Sequence, residues 1–158
     1  MKLQQLIPPE RICLDIDAKT PEAVIDTLIK ALTDVGAIAD PELVKQKVME
    51  RERQVGTGIG FGVAIPHSEP GPYPEPIAAF GRLTKPVDFK SPDGKKVRLV
   101  FLLLTPDKTP ALHVRLLARI CRLTRSATLR EQLLGVATAK EAAEKIAELE
   151  TDYPELTP

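Results

Sequence analysis

Two histidines, His67 and His113, are the side chains of this chain best suited to nucleophilic or acid–base chemistry near neutral pH. His67 follows Ile65 and Pro66 at the end of a short apolar segment, and a loop rich in proline comes next. Because Pro66 restricts the backbone, we expect the ring to be held at the end of a strand, where α/β proteins often place reactive groups.

His113 lies on an inward-facing helical stripe. Its neighbours at helical spacing are Leu116, Leu117 and Ile120. Such a residue is either a partly buried histidine with a structural role or a second member of the site.

Three chemistries could use two histidines: metal binding, hydrolysis by a serine nucleophile, and phosphoryl transfer. Zinc usually takes at least three protein ligands, and no HxxxH or HExxH spacing occurs, so we expect no metal. Ser68 adjoins His67, but neighbours on an extended chain point apart and no GxSxG motif is present. Phosphoryl transfer needs an accessible imidazole, donor groups for the phosphoryl oxygens and a partner surface, and it is the favoured chemistry.

The segment from Gly56 to Gly62 contains four alternating glycines but does not match a nucleotide-binding loop. The third glycine of a GxGxxG motif is replaced by Val63, and no Gly-Lys-Ser or Gly-Lys-Thr occurs. These glycines also precede a strand instead of a helix. They therefore form a tight loop or bulged hairpin, or a loop that leaves backbone space beside His67, and no cofactor is expected.

Apolar periodicity predicts strands and helices in alternation around these residues. Strands are expected over 11–16, 63–67, 77–83 and 97–104, with a short one at 87–89. Helices are expected over 20–35, from 41 to near 51, and over 111–123, 127–134 and 138–149. The segment 97–104 is apolar on both faces, which indicates a central strand. We predict a single α/β domain over 1–150, with a mixed central sheet and helices packed on both faces, and a flexible tail over 151–158.

Charge and hydropathy exclude several classes of protein. The 158 residues include 22 basic and 22 acidic side chains, which gives no electrostatic reason to expect nucleic acid or an anionic membrane as partner. The longest apolar run has strand length, so no membrane insertion is expected. The start of the chain lacks the features of a signal peptide, which predicts a cytoplasmic protein. The apolar neighbours of Cys13 and Cys121 predict buried thiols without a disulfide.

The residues from Arg51 to His67 resemble the signature of one family. Arg-Glu stands at 51–52, Thr-Gly-Ile-Gly-x-Gly at 57–62 and Ala-Ile-Pro-His at 64–67. The pattern resembles the fructose/mannitol class of enzyme IIA domains in the bacterial phosphoenolpyruvate-dependent phosphotransferase system, which includes the nitrogen-regulatory form. Segments 6–16, 87–89, 93–94, 97–104 and 111–113 extend the resemblance to about residues 3–149.

The resemblance implies a role for each matching position. His67 would accept a phosphoryl group from the histidine-containing phosphocarrier protein. Arg51 would lie near the phosphorylated ring and His113 would face it. Thr57 and Gly58 would neighbour the phosphoryl group, because the glycines let the backbone and the Thr57 hydroxyl approach closely. The chain would be a phosphotransferase component with a phosphohistidine intermediate.

Two acceptors are compatible with this assignment. In sugar transport the phosphoryl group passes to a IIB protein, whereas in nitrogen regulation target proteins respond to the phosphorylation state. No IIB or membrane segment is fused to the chain, which favours regulation. Phe61, Ser68 and the proline-rich loop depart from the family pattern, and Phe61 is expected to alter the partner surface or the access to His67. Phe61 and the proline-rich loop keep open an alternative, a regulatory binding module that is never phosphorylated.

Overall fold

Five strands form one mixed sheet, and the computed structural model describes all of residues 1–158. The strands are β1 (Ile12–Ile16), β2 (Gly58–Gly60), β3 (Val63–Ala64), β4 (Ile77–Val87) and β5 (Val97–Leu104). Their order in the sheet is β1-β4-β5-β3-β2. β5 lies antiparallel to β4 and parallel to β3, while β1 is parallel to β4. The predicted mixed sheet is confirmed, and β5 occupies its centre.

Six helices cover the two faces of the sheet. They are α1 (Leu3–Leu6), α2 (Pro21–Asp34), α3 (Pro41–Gln54), α4 (Pro110–Thr124), α5 (Ala127–Gly135) and α6 (Ala139–Glu150), with a 3₁₀ turn at Pro9–Arg11. Side chains of β5 alternate between two apolar clusters, one shared with α4, α5 and α6 and the other with α2 and α3. The α/β domain with helices on both faces is therefore confirmed.

The helix starts follow from the local sequence. The Thr20 side chain accepts a hydrogen bond from the Ala23 N–H at the start of α2, and Asp40 does the same for the Leu43 N–H at the start of α3. A proline occupies the first turn in both helices, where its missing N–H costs nothing.

Some predicted boundaries were wrong. The strand expected at 63–67 covers only Val63 and Ala64, with His67 in an isolated bridge to Leu103. The strand expected at 77–83 continues to Val87 as β4, whose register shifts between Arg82 and Val87, and of the short strand expected at 87–89 only Val87 belongs to it. Exposed residues 84–86 interrupt the apolar pattern there without ending the strand. The helix expected to end near Arg51 continues to Gln54, because arginine, glutamate and glutamine all favour helix.

The tail from 151 to 158, for which flexibility is predicted, lies against the first residues and α4. Met1 and Leu156 exchange two backbone hydrogen bonds of 2.7 Å each. Arg119 donates to the Pro154 carbonyl and Arg115 to the Thr157 carbonyl, both at 2.6 Å. Flexibility of these residues stays a prediction, which amide hydrogen exchange would test.

None of the helices combines the length and the apolar composition that crossing a membrane would require.

Candidate active site

The structure brings His67 and His113 together at one end of the sheet. Their ring centroids lie 5.5 Å apart, and the ring planes are inclined by 56°. His67 follows β3 and pairs with Leu103 near the end of β5, while His113 lies in the first turns of α4, the helix that follows β5. Because β3 and β5 are parallel, both histidines come from the carboxyl ends of neighbouring strands, where α/β sheets carry their ligand sites.

One ring nitrogen of His67 forms a hydrogen bond with the backbone. Its Nδ1 lies 2.7 Å from the Ile65 carbonyl oxygen. A carbonyl oxygen can only accept a hydrogen bond, so Nδ1 must carry the proton in the neutral ring. The lone pair of the neutral imidazole is therefore on Nε2, which is the nucleophilic atom.

His113 is oriented by Thr105. Its Nδ1 lies 2.7 Å from the Thr105 hydroxyl, and Thr105 is completely buried. That hydroxyl has no other hydrogen-bond partner, so its proton is satisfied only if it donates to Nδ1. In the resulting tautomer, Nε2 of His113 carries a proton and is a hydrogen-bond donor.

Burial keeps both rings neutral near pH 7. It lowers the pKa of His67, an effect that the bond to the Ile65 carbonyl opposes and that the positive charge of Arg51 reinforces. Burial also lowers the pKa of His113, and the nearby His67 lowers it further. A neutral His67 is a nucleophile, whereas an imidazolium is not.

Arg51 lies on α3, close enough to His67 for its charge to act on that ring. One guanidinium nitrogen, Nη1, donates to the Val55 carbonyl at 2.8 Å. This bond fixes the guanidinium near the end of the helix and leaves its other donors available for an anion.

Glu52 belongs to the Arg-Glu pair of the signature, but no role could be assigned to it from the sequence. It is buried, and its carboxylate accepts the Thr57 N–H at 2.7 Å and the Thr57 hydroxyl at 2.9 Å. Burial raises the pKa of Glu52, while these two bonds lower it. The Thr57 carbonyl in turn accepts the Ile65 N–H, so Glu52 helps to position the segment that holds His67. The only signal in the sequence was its place beside Arg51.

Thr57 and Gly58, which were expected to neighbour the phosphoryl group, lie against Glu52 and Ser91. The Thr57 hydroxyl is used by Glu52, and a Cβ on Gly58 would lie 2.1 Å from the Ser91 hydroxyl oxygen. The glycine is thus required by a close approach of the chain at Ser91. A contact of either residue with a phosphoryl group stays a prediction.

The glycine segment forms the hairpin of β2 and β3, with a register shift between Gly58 and Gly60. The bulged-hairpin interpretation is therefore correct. Its turn contains Phe61 and Gly62, both with positive φ, and the Phe61 N–H donates to Asp93. The Phe61 ring is 53% exposed and lies under the guanidinium of Arg130.

The expectation that Phe61 affects access to His67 is wrong. Phe61 precedes β3 and His67 follows it. Val63 pairs with Leu99 and His67 with Leu103, so the four residue steps between them span about 13 Å of extended chain, and Phe61 lies in the turn before Val63. The two side chains lie at opposite ends of the sheet.

Comparison with known proteins places the chain in a family. The profile of the phosphoenolpyruvate-dependent sugar phosphotransferase system EIIA 2 family matches residues 5–149. A nitrogen regulatory protein from Bradyrhizobium diazoefficiens is 36% identical over 135 residues, with 84% of this chain and 86% of the relative covered. A fructose-specific EIIA component from Haloferax volcanii is 29% identical over 147 residues, covering 93% and 96%.

A longer relative and a solved structure agree with this placement. A fructose-specific EIIABC component from Bacillus subtilis is 36% identical over 134 residues, and the match spans 85% of this chain but about a fifth of that protein. The crystal structure of nitrogen regulatory protein IIA-Ntr from Neisseria meningitidis superimposes with a TM-score of 0.83 at 28% identity, covering 91% of this chain and 98% of that one. The chain belongs to the EIIA type 2 family of the phosphotransferase system.

Proposed function

We propose that the chain accepts a phosphoryl group on Nε2 of His67 from the histidine-containing phosphocarrier protein. The observation that carries this proposal is the 2.7 Å bond from Nδ1 to the Ile65 carbonyl, which leaves the lone pair on Nε2. The lowered pKa of His67 keeps that lone pair free of a proton near neutral pH.

In the transfer step, a bond forms between Nε2 and phosphorus while the bond from phosphorus to the donor's histidine nitrogen breaks. The electron pair of the broken bond stays on the donor ring. His67 keeps its Nδ1 proton, and the ring gains positive character. The bond from Nδ1–H to the Ile65 carbonyl strengthens as this charge develops, because charge-assisted hydrogen bonds are the stronger ones.

His113 and Arg51 serve the phosphoryl oxygens. The Nε2–H of His113 is a donor held by Thr105 on the far side of its ring, and the ring centroid lies 5.5 Å from that of His67. The guanidinium of Arg51 offers a planar set of donors with permanent charge. Both groups are positioned before the reaction, so they stabilise the transferring group without reorganisation.

The group then passes to an acceptor protein. A IIB protein is the acceptor in a sugar-transport pathway, and a regulatory target responds to phospho-His67 in the other. Relatives with either kind of name resemble this chain over most of its length. Phosphorylation adds about −1.5 to −2 charges beside His113, which is enough to change the binding of a partner.

Labelling from phosphoenolpyruvate tests the proposal. The chain is incubated with labelled phosphoenolpyruvate, the enzyme that draws on it and the histidine-containing phosphocarrier protein. Wild type should be labelled and His67→Ala should not, while His113→Gln and Arg51→Gln should label more slowly, by about 10²-fold each. Thermal unfolding of each variant is the control for folding. Label that persists on a folded His67→Ala protein would refute the proposal.

The alternative is a binding module that is never phosphorylated. Of its two supports, Phe61 lies at the far end of the sheet, and only the proline-rich loop after His67 remains near the site. The same assay separates the two functions, since the module would stay unlabelled under conditions that label a relative.

A further inference from the structure

The last turn of α3 carries two neighbouring side chains that serve different parts of the molecule. Arg51 is half-buried and lies close enough to His67 for its charge to act on that ring. Glu52, the next residue, is only 8% exposed. It takes part in no ion pair, and Thr57 is the only residue that donates a hydrogen bond to its carboxylate.

Four hydrogen bonds connect Glu52 to His67. One carboxylate oxygen accepts the Thr57 N–H at 2.7 Å, and the other accepts the Thr57 hydroxyl at 2.9 Å. The Thr57 carbonyl accepts the Ile65 N–H at 3.0 Å, and the Ile65 carbonyl lies 2.7 Å from Nδ1 of His67. Because Glu52, Thr57 and Ile65 are all buried, water does not readily replace a partner that is lost.

The contact with Glu52 is the main support of Thr57. Thr57 lies between Gly56 and Gly58, and glycine restricts the backbone least. β2 begins at Gly58 and is an edge strand, so no further strand holds it from the outside. The nearby backbone bond from the Gly58 N–H to the Phe89 carbonyl is longer, at 3.3 Å. Glu52 therefore supplies the two shorter contacts at this point.

The other side of the segment that holds His67 is fixed by β5. The Leu103 N–H donates to the Pro66 carbonyl at 3.0 Å, and His67 pairs with Leu103. These contacts do not involve Glu52. Loss of the Glu52 carboxylate should therefore leave the sheet intact and change the position of Thr57 and of the Ile65 carbonyl.

We propose that Glu52 is a positioning residue for phosphoryl transfer, which fixes the orientation and the tautomer of His67 through Thr57 and Ile65. This inference rests on the proposed transfer to Nε2 of His67. Without the carboxylate, the Ile65 carbonyl is no longer held against Nδ1. Some of the rings then carry the proton on Nε2, and others turn away from the phosphoryl donor. Reactive groups must be held within about 0.5 Å of the productive geometry, so a small shift lowers the rate.

The first measurement is NMR of the unphosphorylated full chain, labelled with ¹⁵N in histidine, at about pH 8, where both rings are neutral. ¹⁵N chemical shifts distinguish the protonated ring nitrogen from the one with the lone pair. In Glu52→Ala the two ring nitrogens of His67 should move toward each other in shift, because the tautomers mix. His113 is held by Thr105 and should keep its tautomer. No transfer takes place in this sample, so the result stands whether or not the proposed function is correct.

Rates of labelling from phosphoenolpyruvate are the second measurement. Glu52→Ala should be labelled about tenfold more slowly than wild type, since a displacement of 1 Å can cost about 10²-fold. Glu52→Gln should keep about half of the wild-type rate or more. Its amide oxygen can accept the Thr57 N–H, and its amide N–H can donate to the Thr57 hydroxyl oxygen. Such rescue is expected of a residue that acts by positioning.

Two further variants serve as a milder substitution and as a control. Thr57→Val removes only the hydroxyl contact, should slow labelling about threefold, and decides the question if Glu52→Ala does not fold. Glu150 is also a buried carboxylate, and it accepts the Leu3 N–H at 2.7 Å and the Gln4 N–H at 2.9 Å. Glu150→Ala should lower the melting temperature as Glu52→Ala does, but it should leave the ¹⁵N shifts of His67 unchanged.

Three results would overturn the proposal. The first is that a folded Glu52→Ala or Thr57→Val protein keeps the wild-type shifts of His67. The second is that Glu150→Ala changes those shifts as much as Glu52→Ala does. The third is that Glu52→Gln is labelled as slowly as Glu52→Ala, because the charge of Glu52 and not its hydrogen bonds would then be required.

Discussion

Replacing Thr105 by valine isolates the contribution of one hydroxyl to phosphoryl transfer. The side chain keeps its shape, but the 2.7 Å bond to Nδ1 of His113 is lost. A net hydrogen bond is worth about 1 kcal/mol, which corresponds to about a fivefold preference for the tautomer with the proton on Nε2. Without that preference, a large share of His113 rings would present a lone pair to the phosphoryl oxygens. A change from about 5:1 to about 1:1 lowers the share of rings with a proton on Nε2 from about five sixths to about one half. We therefore expect the rate of labelling to fall about twofold, far less than the roughly 10²-fold expected when the donor is removed altogether.

A matched variant separates this effect from a general loss of stability. The Thr124 hydroxyl is also buried, and it donates to the Ile120 carbonyl at 2.7 Å within α4, away from the histidines. Thr124→Val and Thr105→Val should therefore both lower the free energy of unfolding by about 1 kcal/mol. Initial labelling rates at limiting donor concentration are compared with urea unfolding of the same samples. If Thr105→Val is labelled as fast as Thr124→Val, the assignment of the His113 tautomer is wrong.

Three further predictions follow from the structure. Because burial lowers the pKa of His67 in the folded protein, the unfolded chain binds a proton at this residue first as the pH falls below about 6.5. The free energy of unfolding should therefore fall as the pH drops through this range and level off below the folded-state pKa. His67→Gln should reduce that pH dependence in urea titrations, and an unchanged profile would argue against the lowered pKa. Gly58→Ala should destabilise the protein by about 1–3 kcal/mol, because the new Cβ would lie 2.1 Å from Ser91 Oγ. Gly135→Ala is the control. Its Cβ would meet nothing within 4 Å, so this variant should be neutral or stabilising in thermal melts. Phe61→Ala should leave the labelling rate unchanged because the ring lies at the opposite end of the sheet from the histidines, and a marked change would contradict that separation.

The general architecture could be predicted because it depends on local patterns. Threonine or aspartate before proline marked the starts of α2 and α3, and the apolar run of β5 indicated its central place. The extent of β4 could not be predicted, since residues 84–86 are exposed and the strand is carried on to Val87 by the pairing of that residue with Val97 of β5. Tertiary pairing overrides the local pattern at this point.

The site was only partly accessible from the sequence. The types of His67, His113 and Arg51 suggested their chemistry, but the two tautomers depend on acceptors and donors that only the fold brings into reach. The function of Glu52 was hidden for the same reason, because its partner Thr57 meets it across the end of a helix. The position of the proline-rich loop at 68–76 likewise depends on the backbone hydrogen bonds of Gly71 with Thr105 and Asp107, after β5.

The most direct test of the central claim is NMR of the ¹⁵N-histidine-labelled chain after phosphorylation by phosphoenolpyruvate and the two upstream proteins. Long-range correlations to the ring protons assign the phosphorylated nitrogen. The geometry predicts one phosphohistidine, with phosphorus on Nε2 of His67 and the proton retained on Nδ1. Phosphorylation on Nδ1 of His67, phosphorylation on His113, or an unmodified chain would contradict it.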